Sequence, residues 1–240
     1  MSEVYQPSYL GDFPIAADAP AVARLGFIRK TYTHLAGAVG AFVLLEAILF
    51  RLGVAEEFAL SMTGGWQWLL VLGAFMVVSW IANRWARSDT SVGLQYIGLG
   101  IYVVAEGLIF LPLLYIAAHF AGKDVIPTAG LLTLLIFCGL TAVVFTTKKD
   151  FSFLLPALWI AGLAVFGLVI AGLVFGFSLG IFFTVAMIAV AGGWILYDTS
   201  QVLHHYRVGQ HVAASLALFS SLALLFWYIL QLLMSLSSRD

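Results

Sequence analysis

Seven stretches of this chain are each apolar for long enough to cross a bilayer. They lie near Tyr32–Phe50, Trp66–Ala82, Tyr96–Ala118, Thr128–Thr146, Phe151–Phe175, Leu179–Leu203 and Val212–Leu236. A helix of about 20 apolar residues spans the ~30 Å hydrocarbon core. The sequence is therefore read as an all-α integral membrane protein, a bundle of seven transmembrane helices. Composition agrees: 62% of the residues are hydrophobic and 10% charged, whereas soluble domains carry about 25% charged residues. The connecting loops are too short for a soluble domain. Residues 27–237 are expected to form one transmembrane domain behind a polar N-terminal tail, residues 1–26. Whatever the protein does is expected to happen inside the bundle.

The tail carries Glu3, Pro7, Asp12, Pro14, Asp18 and Pro20 and has no apolar core before a cleavage site. It does not read as a secretory signal. The single cysteine, Cys138, lies within the fourth span and reads as a packing residue. Net charge is −1 and says little; the placement of charge says more. Arg24, Arg29 and Lys30 precede the first span, Arg84 and Arg87 follow the second, Lys148 and Lys149 follow the fourth, and Arg207 follows the sixth. Arg51, Lys123 and Arg239 fall on the other side. By the positive-inside rule the N-terminus is expected in the cytoplasm and the C-terminus outside.

Ionisable residues inside spans carry most of the functional signal, because charge at bilayer depth costs about 2.5–3.5 kcal/mol on insertion scales. Asp198 ends an otherwise apolar run and must face protein, water or an ion. It reads as a gate residue, or as half of a structural ion pair that orders the helix ends. Glu106 falls near mid-depth of the third span, on a helical stripe with Gln95, Gly98 and Tyr102. It reads as lining a cation or proton path, or as a protonated acid hydrogen-bonded across helices. Glu46 is nearer the outer end of its span, within reach of water, so a structural role is favoured over a functional one. Thr184, Trp194, Asp198, Gln201 and His205 share one face of span six; Ser221, Tyr228, Gln231 and Ser235 share one of span seven. These faces are expected to line a common interior. Pro112 removes a backbone donor from span three and is expected to kink it or open a polar backbone site.

Other patterns carry less. Ala36 with Gly40, and Gly172, Gly176 and Gly180, are spaced for close helix contact. His204, His205 and His211 sit on one loop, but adjacent histidines diverge on a helix, so a solvated loop is favoured over a metal site. A triad of Ser221, His34 and Asp198 lacks a nucleophile elbow. No internal repeat supports an inverted-repeat transporter.

Several segments carry a family resemblance. The hairpin Lys148-Lys149-Asp150-Phe151-Ser152-Phe153-Leu154 and the run Ile195-Leu196-Tyr197-Asp198-Thr199-Ser200-Gln201 resemble the Bax inhibitor-1, or transmembrane Bax inhibitor motif, family and its bacterial members. Phe27-Ile28-Arg29-Lys30-Thr31-Tyr32 and Gly107-Leu108-Ile109-Phe110-Leu111-Pro112 fall in the same order. The resemblance covers roughly residues 25–237. It implies a seven-helix fold and calcium leak across membranes, with a pH sensor made of aspartates on spans six and seven and a basic latch at the end of span two. Asp198 matches the first aspartate. Ser221 stands where the second would be, and Arg84 is the basic residue nearest the latch position. The resemblance thus implies a weakened sensor, because one carboxyl beside a serine cannot share a proton as two do.

The expected activity is passive movement of a cation, calcium in first place. Asp198, Arg84, Ser221 and Glu106 would form the path or gate, with calcium at Asp198 and Glu106. The alternative is a non-conducting modulator of membrane stress or protein quality control that binds other membrane proteins. No enzymatic activity, cofactor or nucleic-acid partner is expected; the surroundings are the lipid bilayer, in a bacterial inner membrane. A reporter fused after Asp240 is predicted to signal from outside the cell. A cytoplasmic signal would mean six crossings or a re-entrant last segment.

Overall fold

The computed structural model describes residues 13–61, 66–88, 91–176 and 180–237. Among them the chain forms eight α-helices: α1 (Ala21–Arg51), α2 (Val54–Ser61), α3 (Trp66–Ala86), α4 (Val92–Phe120), α5 (Val125–Thr147), α6 (Leu155–Phe175), α7 (Gly180–His204) and α8 (His211–Ser237). Seven are long and apolar enough to cross a membrane. The short α2 sits in the connection between the first two spans. Of the residues named above, Leu179, Arg239 and the tail residues Glu3, Pro7 and Asp12 lie outside the described ones.

Span positions agree with the apolar runs, but α1 starts at Ala21, not at Tyr32. Pro20 precedes it, and nothing between Ala21 and Tyr32 breaks a helix. The helix extends beyond the apolar run because helix formation needs no apolar residues outside the hydrocarbon core. At 1.5 Å per residue its 31 residues span roughly 46 Å. Pro112 does not end α4, which continues to Phe120.

The bundle is built around α8. It packs against α1, α3, α4, α5 and α7, while α6 packs on α7 and on the 3-10 turn Ser152–Leu154 that precedes it. α4 and α8 carry the longest runs of buried residues. Two glycines on α4 set how closely its neighbours approach. A Cβ on Gly98 would stand 2.6 Å from the Ala82 carbonyl oxygen and 2.7 Å from the Ala86 nitrogen. A Cβ on Gly107 would stand 2.7 Å from Leu45 Cδ2. Four of the small residues expected to mediate close contact elsewhere, Ala36, Gly40, Gly176 and Gly180, do not. Ala36 and Gly40 are exposed, and a Cβ on Gly40, Gly176 or Gly180 would meet nothing within 4 Å. Gly176 instead ends α6 in the left-handed conformation, φ 72°. Spacing alone shows that two residues share a helix face, not that a neighbour lies there.

The face of the bundle that carries the N-terminus is laced together by polar contacts. The Ala16 amide donates to the Tyr206 carbonyl at 2.8 Å, and the Val208 amide donates to the Pro14 carbonyl at 3.1 Å. The segment before α1 is thereby held against the α7–α8 connection, and Ala16 is fully buried. Burial pushes the Tyr206 phenol up to about 12. On the opposite face the Ser237 hydroxyl donates to the Ala121 carbonyl at 2.9 Å, joining the ends of α8 and α4.

Gly98→Ala is predicted to force α3 and α4 apart at a backbone contact and cost about 1–3 kcal/mol, the usual range for overpacking. Thermal unfolding in detergent should fall for Gly98→Ala and stay unchanged for Gly40→Ala. Equal effects would contradict the packing assigned to α4.

Candidate functional site

A chain of polar side chains crosses the middle of the bundle. It begins at Asp198 on α7, which is 8% exposed. The Ser221 hydroxyl on α8 donates to Asp198 Oδ2. The neighbouring Ser220 hydroxyl lies 2.7 Å from the Tyr102 hydroxyl on α4. Glu106 lies one turn further along the same helix, on the same buried face as Tyr102. Adjacent serines on α8 therefore reach one acid on α7 and, on α4, the tyrosine one turn from a second. The acids differ in depth: Asp198 lies toward the N-terminal face, and Glu106 near the middle of α4.

The arrangement follows from local sequence. Residues 95, 98, 102 and 106 fall on one face of a 3.6-residue helix, and Gln95, Gly98, Tyr102 and Glu106 are all buried. Successive residues on α8 point about 100° apart, so Ser220 and Ser221 serve different neighbours. Each hydroxyl has one donor and two acceptor sites. The same Ser221 proton also faces the Ala217 carbonyl at 3.2 Å, so it is shared between two acceptors and the lone pairs of the hydroxyl stay free.

Sequence reasoning paired Asp198 with Arg84. In the structure Arg84 is exposed and lies over the Trp80 ring, 5.8 Å from its centroid. Arg84 lies in the last turn of α3, and Arg87 lies just past the end of that helix. Arg87 is the basic residue closer in effect to Asp198; it is exposed as well, and no ion pair joins it to Asp198 among the described residues. Glu46 is also corrected. It was expected within reach of water, but it is 7% exposed and neither carboxyl oxygen has a hydrogen-bond partner among the described residues. It packs against α4, where a Cβ on Gly107 would come within 3.3 Å of Glu46 Oε1. Sequence reasoning placed Tyr102 on the polar stripe but missed Ser220 as the group that joins it to α8. The adjacent Ser-Ser pair in an apolar helix was the available signal.

The histidines do not converge. His34 Nε2 lies 2.8 Å from the Tyr96 hydroxyl, and its ring lies 4.9 Å from that of His211. Ser221 therefore has Asp198 but no histidine beside it. His205 Nε2 is 2.8 Å from Asp150 Oδ2 and 3.2 Å from the Ser152 hydroxyl. One ring nitrogen faces both groups, which is not the arrangement in which a histidine relays a proton between a serine and an acid. The cluster is better described as a clasp. Gln201 Nε2 donates to Ser152 Oγ at 2.8 Å, and the Phe151 amide donates to Ser200 Oγ at 3.1 Å. It fixes the α5–α6 hairpin to the end of α7 that carries Asp198.

The comparisons with known proteins can be set against this geometry. Residues 24–238 match the family described as inhibitor of apoptosis-promoting Bax1. The chain belongs to the Bax inhibitor-1 family. It is 31% identical over 236 residues to Bax inhibitor 1 of Schizosaccharomyces pombe, covering 95% of this chain and 82% of that protein. It is 28% identical over 232 residues to the protein LIFEGUARD 4 of Arabidopsis thaliana, covering 91% of this chain and 87% of the relative. An uncharacterised protein of Campylobacter jejuni is 30% identical over 224 residues, covering 89% of this chain and 90% of that protein. Family membership and seven apolar helices together make it an integral, multi-pass membrane protein.

The clasp yields a pH prediction. The Ser152 hydroxyl, then the Ser152 amide and His205, hold the Asp150 carboxyl down at about 2. The ordinary aspartate value is about 3.9. Asp150 therefore contributes stability that is fully present above the ordinary value and is lost as pH falls toward about 2. The stability difference between wild type and Asp150→Asn should be constant near neutrality and shrink as the solution is acidified below about pH 4. A difference that grows on acidification would contradict the sign.

Proposed function

We propose that this Bax inhibitor-1 family member is a passive cation leak protein of a bacterial cell membrane, with calcium as the cation. The observation that carries the reading is the pair of polar contacts Asp198–Ser221 and Ser220–Tyr102, with Glu106 one turn from Tyr102, inside an otherwise apolar bundle. Acids at bilayer depth are costly, and in membrane proteins they mark ion and proton pathways. Asp198 forms the gate near the N-terminal face, and Glu106 lowers the cost of a cation at mid-depth. Calcium takes 6–8 oxygen ligands, and the two carboxyls, the hydroxyls of Ser220, Ser221 and Tyr102, and accompanying water supply oxygen. Arg87 takes the role first assigned to Arg84: its charge opposes entry of a cation and favours the closed gate.

The test is calcium flux into liposomes that contain the purified chain. Asp198→Asn should reduce flux about tenfold or more, and Arg87→Ala should raise it. If both act on the same gate, their effects should be non-additive. Wild-type vesicles no leakier than empty ones would overturn the reading and leave a non-conducting modulator of other membrane proteins.

Ser221 bears on the pH response. With a hydroxyl there, no second carboxyl shares the Asp198 proton across the α7–α8 contact. Ser221→Asp sets two acids in contact, which then titrate as a coupled pair. The flux–pH curve of Ser221→Asp should differ from that of wild type by a second titration step. Superimposable curves would refute the assignment of Ser221 as the missing half of the sensor.

A further inference from the structure

A cavity of about 550 Å³ opens between α3, α4, α7 and α8, with Glu106 in its wall. Its size falls within the range of small-molecule sites, about 300–1,000 Å³. Glu106 is the one carboxyl that lines it, and no Lys, Arg or His among the described lining residues offsets that charge. The rest of the wall is rich in aromatic rings. Trp68 on α3 stacks with Trp227 on α8, with centroids 6.3 Å apart and planes 17° apart. Phe110 meets Trp227 edge-on at 5.0 Å. Tyr102 and Tyr228 complete the ring-lined surface.

This chemistry differs from that of a calcium site. A resident divalent cation needs a close shell of oxygens; Tyr102, Glu106 and Ser220 supply a few on one side, where calcium would pass, and the rest of this wall is mostly carbon. Aromatic faces attract cations through the ring quadrupole, most strongly when the cation is desolvated, and aromatic cages recognise quaternary ammonium groups. Such a cation is large and weakly hydrated, so it gives up little on entering an apolar cavity. A buried carboxyl opposite the rings fixes the sign of the charge accepted. Neutral amphiphiles would fill the volume but leave Glu106 unused.

We propose that this cavity binds a monovalent organic cation, an amine or quaternary ammonium with an apolar body, its charge set against Glu106 and its body against Trp227 and Trp68. Binding needs no conduction, so the inference stands apart from the leak reading although the two share Glu106. An occupied cavity would also block the path beside Glu106, which makes such compounds candidate inhibitors of the leak.

Equilibrium dialysis of radiolabelled tetrabutylammonium against the purified full-length chain in detergent tests the proposal. Saturable binding is expected, weakened about tenfold or more by Glu106→Gln and retained within a few-fold by Glu106→Asp. Trp227→Leu, which leaves the charge in place, should weaken it several-fold, and Asp150→Asn on the N-terminal face should not change it. The readout is binding alone, so a failed flux assay and a failed dialysis experiment are separate results. Absence of saturable binding to the wild type, or equal affinity in wild type and Glu106→Gln, would overturn the proposal. If Glu106→Gln does not fold, undiminished binding by Trp227→Leu overturns it instead.

Discussion

The contact between the Asp198 carboxyl and the Ser221 hydroxyl is the constraint around which the rest of the bundle is arranged. A carboxyl in an apolar helix is costly unless it is sheltered and hydrogen-bonded. On α7 that shelter is supplied by α8, so the two helices must dock with these residues facing each other. Once they do, Ser220 is turned toward α4, and Tyr102 has a partner across the interface. Gly98 and Gly107 then let α3 and α1 close on α4. A central α8 flanked by five other spans is the packing that satisfies these requirements together.

The same contacts explain why two acids tolerate one apolar core. They are separated in depth, with hydroxyls between them that can donate to an ionised carboxylate or accept from a protonated acid. The interior is thus compatible with a proton or a cation at either acid. The N-terminal face is built differently. There the clasp of Asp150, Ser152, Gln201 and His205 and the Ala16–Tyr206 contact tie the neighbouring loops to the end of α7 that carries Asp198.

Much of the fold was legible in the sequence because crossing a membrane imposes length and apolarity on each span. The start of α1 was not, since the helix continues through Arg24, Arg29 and Lys30 where apolarity no longer applies. For the site, Asp198, Glu106 and Ser221 stood out as polar residues at depth, and the family resemblance pointed to the facing of Asp198 and Ser221. What sequence could not give was the rotation of one helix against another. That rotation buries Glu46 against Gly107 and makes Ser220 the link to Tyr102. It also explains why Gly40 and Gly180, spaced as packing residues, have nothing packed on them. Each of these outcomes depends on a neighbour whose position is set by the whole bundle.

The central claim is that Asp198 itself meets the permeating cation. Infrared difference spectroscopy of the reconstituted chain, with and without calcium, reads this directly through the carboxylate stretching bands. Calcium should shift bands that are present in the wild type and missing in Asp198→Asn, while Asp150→Asn keeps them. A calcium-induced spectrum identical in wild type and Asp198→Asn would contradict the account and leave Asp198 a structural partner of Ser221.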